Sequence, residues 1–286
     1  MAVVAHPRPS PPEPPPRCWN TARGPRGSSA VRRLLTTLLL AATAVTVASP
    51  AAARPRRPRV KYEDPRQPRP SATYAALGRV ACLKELKARK VGFTRVEKAP
   101  GVLAPVRLTG PVGGVLFRSD ASDSQRASSS AEVFDCRLVL ALSDWSRVLV
   151  ARGVDEVRFA SAWRPPPRSW PAERPATRHP GALAIDVKRL GKKLDPGEKV
   201  KRWLVVEKDF HGKIGAPVCG ARAASRSAAR ASTARSRPGT DELRALVCET
   251  GDRKLFTSIL TPSYDRAHRD HLHLEITPVV TWSLLL

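Results

Sequence analysis

The sequence predicts an α+β fold, and three observations carry that prediction. Glu132–Val150 has apolar residues at helical spacing. Three short runs, Val157–Trp163, Leu183–Val187 and Leu272–Ile276, alternate apolar and polar residues as strands do. No repeat of solenoid type is present, and helices and short strands mixed in this order read as α+β. A hydrophobic share of 42% over 286 residues is near that of a packed domain.

The elements follow in chain order. Residues 1–53 read as a leader containing a signal peptide: Arg32-Arg33, the apolar run Leu34–Ala48, then small residues up to a cleavage site after Ala53. The run is shorter than the roughly 20 residues that cross a bilayer, so no stable membrane span is expected after cleavage. The chain is therefore expected to be exported, to the periplasm or cell envelope. Residues 54–70 (RPRRPRVKYEDPRQPRP) form a Pro/Arg-rich linker. Residues 71–286 form the globular domain. Within it we expect a helix over Tyr74–Lys90, a hairpin over Val102–Phe117 and the main helix over Glu132–Val150. The strand Val157–Trp163 stops at Arg164-Pro165, and a further helix spans Asp241–Cys248. A low-complexity insert occupies residues 220–240, rich in Arg, Ala and Ser.

The formal net charge of +25 invites a nucleic-acid reading, but its placement argues otherwise. Residues 1–70 hold 13 basic residues against three acids, together with 14 of the 28 prolines. Ala221–Arg237 adds five arginines and no acid. Most of the charge thus lies in segments too poor in large apolar residues to pack. No standard nucleic-acid-binding motif appears, so no specific nucleic acid is expected as partner. The remaining charge suits proximity to anionic envelope polymers. Four cysteines follow the leader: Cys82, Cys136, Cys219 and Cys248. In an oxidising compartment an even count points to two disulfides, with three pairings open. Cys82–Cys136 with Cys219–Cys248 is the preferred one, closing the insert into a loop. No C-x₂-C pair exists, which argues against a cysteine metal site.

The histidines carry the chemistry. His268, His271 and His273 lie within HRDHLHLE, and on a strand His271, His273 and Glu275 share one face while Leu272, Leu274 and Ile276 take the other. In His179–Asp186 (HPGALAID), Asp186 sits beside the small Ala184, opposite Leu183, Ile185 and Val187. Two imidazoles and a carboxylate with one open position suit a catalytic zinc ion. Zinc polarises a carbonyl and acidifies water, and a neighbouring neutral imidazole can take a proton. Either motif alone is more simply a solvated strand face; both together, each with an apolar opposite face, favour a site. His211, in DFHGKIG, is a weaker candidate.

At these residues the chain resembles the bacterial extensin-like C-terminal domain family. The matching segments are Ser161-Ala-Trp-Arg-Pro165, Thr177-Arg-His179 with Ala184-Ile-Asp186, and His268-Arg-Asp-His271-Leu-His273. That family is similar in turn to the zinc peptidases that include D-Ala-D-Ala carboxypeptidases, lysostaphin-type enzymes and murein endopeptidases, with the pattern S-x-H-x-x-G-x-A-x-D followed by H-x-H. The resemblance implies that His179, Asp186 and His273 bind Zn2+ and that His271 is the catalytic histidine. It further implies that His268 is an additional active-site histidine and that Arg164 orients substrate or stabilises the developing oxyanion. The implied fold is a small antiparallel sheet flanked by helices, with the metal on the sheet face. The implied activity is hydrolysis of peptide bonds in peptidoglycan or muropeptides. A non-catalytic wall-binding or scaffold protein of the same fold is the alternative. Three departures stand out: Thr177 replaces the pattern's Ser, Gly181 lies two rather than three residues after His179, and the insert is additional.

Overall fold

The computed structural model describes residues 69–171, 173–220 and 238–286. The leader, nearly all of the linker and most of the insert lie outside the described residues, as does the signal-peptide reading. Helices α1 (Pro70–Ala75) and α2 (Arg79–Ala88) come first, then β1 (Phe93–Arg95), β2 (Pro105–Leu108) and β3 (Leu116–Ser119). A short α3 (Asp123–Arg126) leads to β4 (Phe134–Asp135), α4 (Cys136–Ala151) and β5 (Val154–Phe159). Next come β6 (Ala184–Lys192), β7 (Trp203–Val205) and α5 (Val206–Asp209). After the insert follow α6 (Pro238–Asp252), β8 (Ser258–Leu260), β9 (Leu272–Glu275) and β10 (Leu284–Leu285).

The α+β reading holds, with two sheets. A small antiparallel sheet joins β1, β2 and β4. The larger has seven strands in the order β10-β8-β9-β6-β5-β3, with β7 also paired to β6. This larger sheet, which carries the histidines, is mixed rather than purely antiparallel. Its β3–β5 and β8–β10 pairs are parallel, because α4 carries the chain back before β5 and β9 intervenes before β10.

Helix α4 is the hub of the core. Leu138, Val139, Leu140, Leu142, Trp145 and Leu149 are all fully buried. Asp135 caps its start, accepting a hydrogen bond from the Arg137 backbone N–H at 3.0 Å. Trp145 donates to Thr250 Oγ1 of α6 at 3.0 Å and meets the ring of Phe256 edge-on. Disulfides join Cys82 to Cys136, tying α2 to the first residue of α4, and Cys219 to Cys248 on α6. No helix among the described residues is long and apolar enough to cross a membrane.

Several expected elements shift. The Tyr74–Lys90 helix is two helices broken at Gly78, and α6 extends beyond Asp241–Cys248 at both ends. The main helix begins at Cys136, since Phe134-Asp135 pairs with β2 instead. The Val102–Phe117 hairpin is not formed as one unit. A tight turn with Gly113 and Gly114 at positive φ separates β2 from β3, and β2 finds its partners in β1 and β4. The strand expected to reach Trp163 ends at Phe159 after a register shift against β6. From there the chain runs beside the turn that bears His179: the Arg164 N–H bonds to the His179 carbonyl, and Trp163 Nε1 to that of Pro180.

Candidate metal centre

Strands β6 and β9 pair antiparallel with Asp186 directly opposite His273 and Ala184 opposite Glu275. The pleat therefore places Asp186, His273 and Glu275 on one face. Leu183, Ile185, Val187, Leu272, Leu274 and Ile276 enter the main core on the other. His179 arrives on a single 3-10 turn, His179–Gly181, just before β6. That turn is tightly built. A side chain at Gly181 would collide with the Ala176 carbonyl, at 2.2 Å from the oxygen. Three residues after His179, Ala182 occupies the left-handed region at φ 52°. Arg178, immediately before His179, also has positive φ. Such conformations cost about 1–3 kcal/mol each and collect at functional sites.

Three ligand atoms, one each from His179, Asp186 and His273, lie within 4.8 Å of one another. His179 and His273 are each 7% exposed and Asp186 is 3% exposed. His179 Nε2 is 3.1 Å and His273 Nδ1 3.0 Å from the same oxygen, Asp186 Oδ1. Each ring's other nitrogen has its own acceptor. His179 Nδ1 is 3.1 Å from the Ala162 carbonyl, and His273 Nε2 is 3.1 Å from Glu275 Oε2. Assigning the ring protons from these partners puts N–H on each outer nitrogen and a lone pair on each inner one. Two lone pairs and a carboxylate oxygen then converge, which is the donor set of a cation site. Outer-nitrogen hydrogen bonds of this kind are what orient metal-binding imidazoles. Ligands around a tetrahedral zinc with bonds near 2.0–2.1 Å would stand about 3.3 Å apart, close to the two separations from the imidazole nitrogens to Asp186 Oδ1. This buried group could hold a metal ion.

The charges agree. Burial alone would raise the Asp186 pKa, but hydrogen bonds with His179 and His273 and the charges of His179 and His271 hold it far below the usual carboxylate range. For His273, burial works to lower the pKa, while the Asp186 and Glu275 carboxylates outweigh it and raise it. Glu275 shows the converse: burial pushes up, and His273 and Thr277 bring it down. Thr277 Oγ1 donates to Glu275 Oε1 at 2.8 Å, so both carboxylate oxygens are used.

The structure brings all six candidate residues together. His271 precedes β9 with Nε2 3.5 Å from Asp186 Oδ1, and its Nδ1 lies 2.8 Å from Asp270 Oδ1. Asp270 also receives a hydrogen bond from Lys188 Nζ. His268 stacks at 5.1 Å from His271 and 5.8 Å from His273, centroid to centroid, with Nδ1 2.7 Å from Asp265 Oδ1. Arg164 Nη2 donates to Asp186 Oδ2 and stands 3.1 Å from His179 Nε2, while its Nε is held by Ser161 Oγ at 2.9 Å. His211 is not part of the group; it is exposed and lines a separate cleft with Arg266 and Arg269. Sequence reasoning placed Glu275 on the histidine face but assigned it no role, and it passed over Asp265 and Asp270. The signal was present in D-x-x-H, D-H and H-x-E, where an acid stands within reach of each imidazole.

No protein-family model, curated protein or solved structure matches this chain. Its functional reading therefore rests on the residues and their geometry.

Proposed function

We propose that this protein is an exported zinc-dependent hydrolase that cleaves peptide bonds of peptidoglycan, as the extensin-like resemblance implies. One observation carries the reading: two buried imidazoles, each with its outer nitrogen committed, turn their inner nitrogens onto one carboxylate oxygen. His179, Asp186 and His273 would hold the zinc. Bound there, zinc supplies Lewis-acid polarisation of a carbonyl and acidification of water. The chain's own residues do the rest. Asp270 fixes the His271 ring so that Nε2 faces the group, where it can take a proton from the attacking water. Arg164 lies beside Asp186 and His179 with a half-exposed side chain, offering N–H donors to negative charge that develops on the substrate oxygen. His268, held by Asp265, adds a second imidazole near His271 for proton transfer to the leaving amine. The two disulfides fit an oxidising compartment.

The test is metal analysis of the mature protein together with digestion of purified sacculi. The expected result is about one zinc per chain and release of soluble muropeptides, both lost in His179→Ala and His273→Ala. Zinc binding with sedimentation on sacculi but no soluble fragments would favour the scaffold alternative. A chain folded in excess zinc that retains none would overturn the hydrolase reading.

A further inference from the structure

A second pocket lies away from the histidines, where the α1–α2 corner faces the segment leading to His179. It measures about 500 Å³ and is walled by apolar groups, among them Ala76, Leu77, Leu103, Pro175 and Pro278. One charged residue lines it: Arg137, in the first turn of α4, which is only 5% exposed.

The guanidinium of Arg137 is used on one edge only. Nε donates to Asp135 Oδ1 at 2.8 Å and Nη2 to Asp135 Oδ2 at 3.2 Å, forming the side-on fork. Asp135 is itself fully buried, and its two oxygens also accept the backbone N–H groups of Arg137 and Ala104. Its capacity is spent. The other edge, made by Nη1 and the second N–H of Nη2, has no acceptor for Nη1 among the described residues. Nη1 is not sealed from solvent, so this edge stays open to an acceptor that enters the pocket. The start of the 16-residue α4 adds partial positive charge at the same place.

We infer that this pocket binds a carboxylate attached to a short aliphatic group, with the two oxygens on the end-on edge of Arg137 and the carbon chain against Leu77, Leu103 and Pro278. The class of ligand follows from the geometry. A planar fork of two parallel N–H donors matches a carboxylate, and the walls offer no other charge; Thr177 is the one other polar side chain among them. The inference is independent of the metal reading, since none of the candidate zinc ligands lines the pocket.

The experiment is titration of the folded protein, labelled with 15N-arginine, with propionate, with propionamide and with sodium chloride at matched ionic strength. Propionate should shift the Arg137 side-chain resonances saturably, and propionamide should bind at least tenfold more weakly. Leu103→Trp and Ala76→Trp each fill the pocket from a different lining position. Each should abolish the propionate response while the other arginine resonances stay in place. A response equal to that of chloride, equal for the amide, or surviving in both tryptophan variants would overturn the assignment and leave the edge to solvent.

Discussion

The two faces of strands β6 and β9 differ in almost everything except burial. Ile185 pairs with Leu274, and one residue along Asp186 pairs with His273. The first pair is at most 1% exposed and the second at most 7%. On the apolar face, contacts are non-directional, so side chains of similar volume can replace one another. On the other face every imidazole nitrogen and carboxylate oxygen has a direction and a partner. Burial by itself therefore says little about purpose; what separates the faces is whether the buried atoms need specific partners.

That contrast can be broken from either side. The largest effect is expected at Leu274→Ala, which should lower unfolding free energy by about 2–5 kcal/mol in denaturant melts. The folded fraction should keep its metal stoichiometry; loss of metal binding together with stability would show that the faces are not separable. Next comes Glu275→Met, which removes the acceptor on His273 Nε2 and should weaken zinc affinity by about 10–100-fold in competition with a chelator. Glu275→Gln, which retains an acceptor, should weaken it less. Equal affinity for all three proteins would reduce Glu275 to packing.

A smaller effect concerns the support of His271. Burial would raise the Asp270 pKa, but His271 and Lys188 outweigh it and bring it down to about 2. The folded value lies below the unfolded one of about 3.9, so the stability it contributes is present above that pH and disappears as the pH falls toward 2. Wild type and Asp270→Asn should differ by less than about 1 kcal/mol at neutral pH, because the pair is partly solvated, and should converge near pH 2. A gap that widened in acid would contradict this sign. The smallest effect is expected at Ala182→Gly. Relief of the left-handed backbone and loss of a buried methyl are each worth about 0.8–1 kcal/mol and oppose each other, so stability should move by only a few tenths.

The legible part of the fold was the part with strong periodicity. Leu138 through Val148 announced α4, and the alternation in Leu272–Ile276 announced both β9 and the sidedness of its histidines. Both disulfides were among the three pairings open to four cysteines, and are the preferred one. What stayed hidden depends on long-range geometry. Phe93–Arg95 is too short to show a period, so the partner of β2 was missed and a hairpin with β3 was expected instead. The parallel pairing of β3 with β5 depends on the path of α4, which no local pattern encodes. At the site, the six residues were readable as types, but the commitment of each outer nitrogen was not. The Ala162 carbonyl reaches His179 only because the chain leaves β5 at Phe159 and doubles beside the 3-10 turn.

The Cys219–Cys248 bridge has a practical consequence for anyone who handles this protein. Residues 219 and 248 are 29 apart in sequence and joined covalently, with Cα atoms 5.7 Å apart. A protease that cuts once between them, for instance at any arginine of the Arg/Ala/Ser segment, produces two polypeptides that stay linked. Electrophoresis without reductant would show one band at full mass, and only a thiol would reveal the cut. Purity judged under oxidising conditions would therefore miss a clipped population altogether.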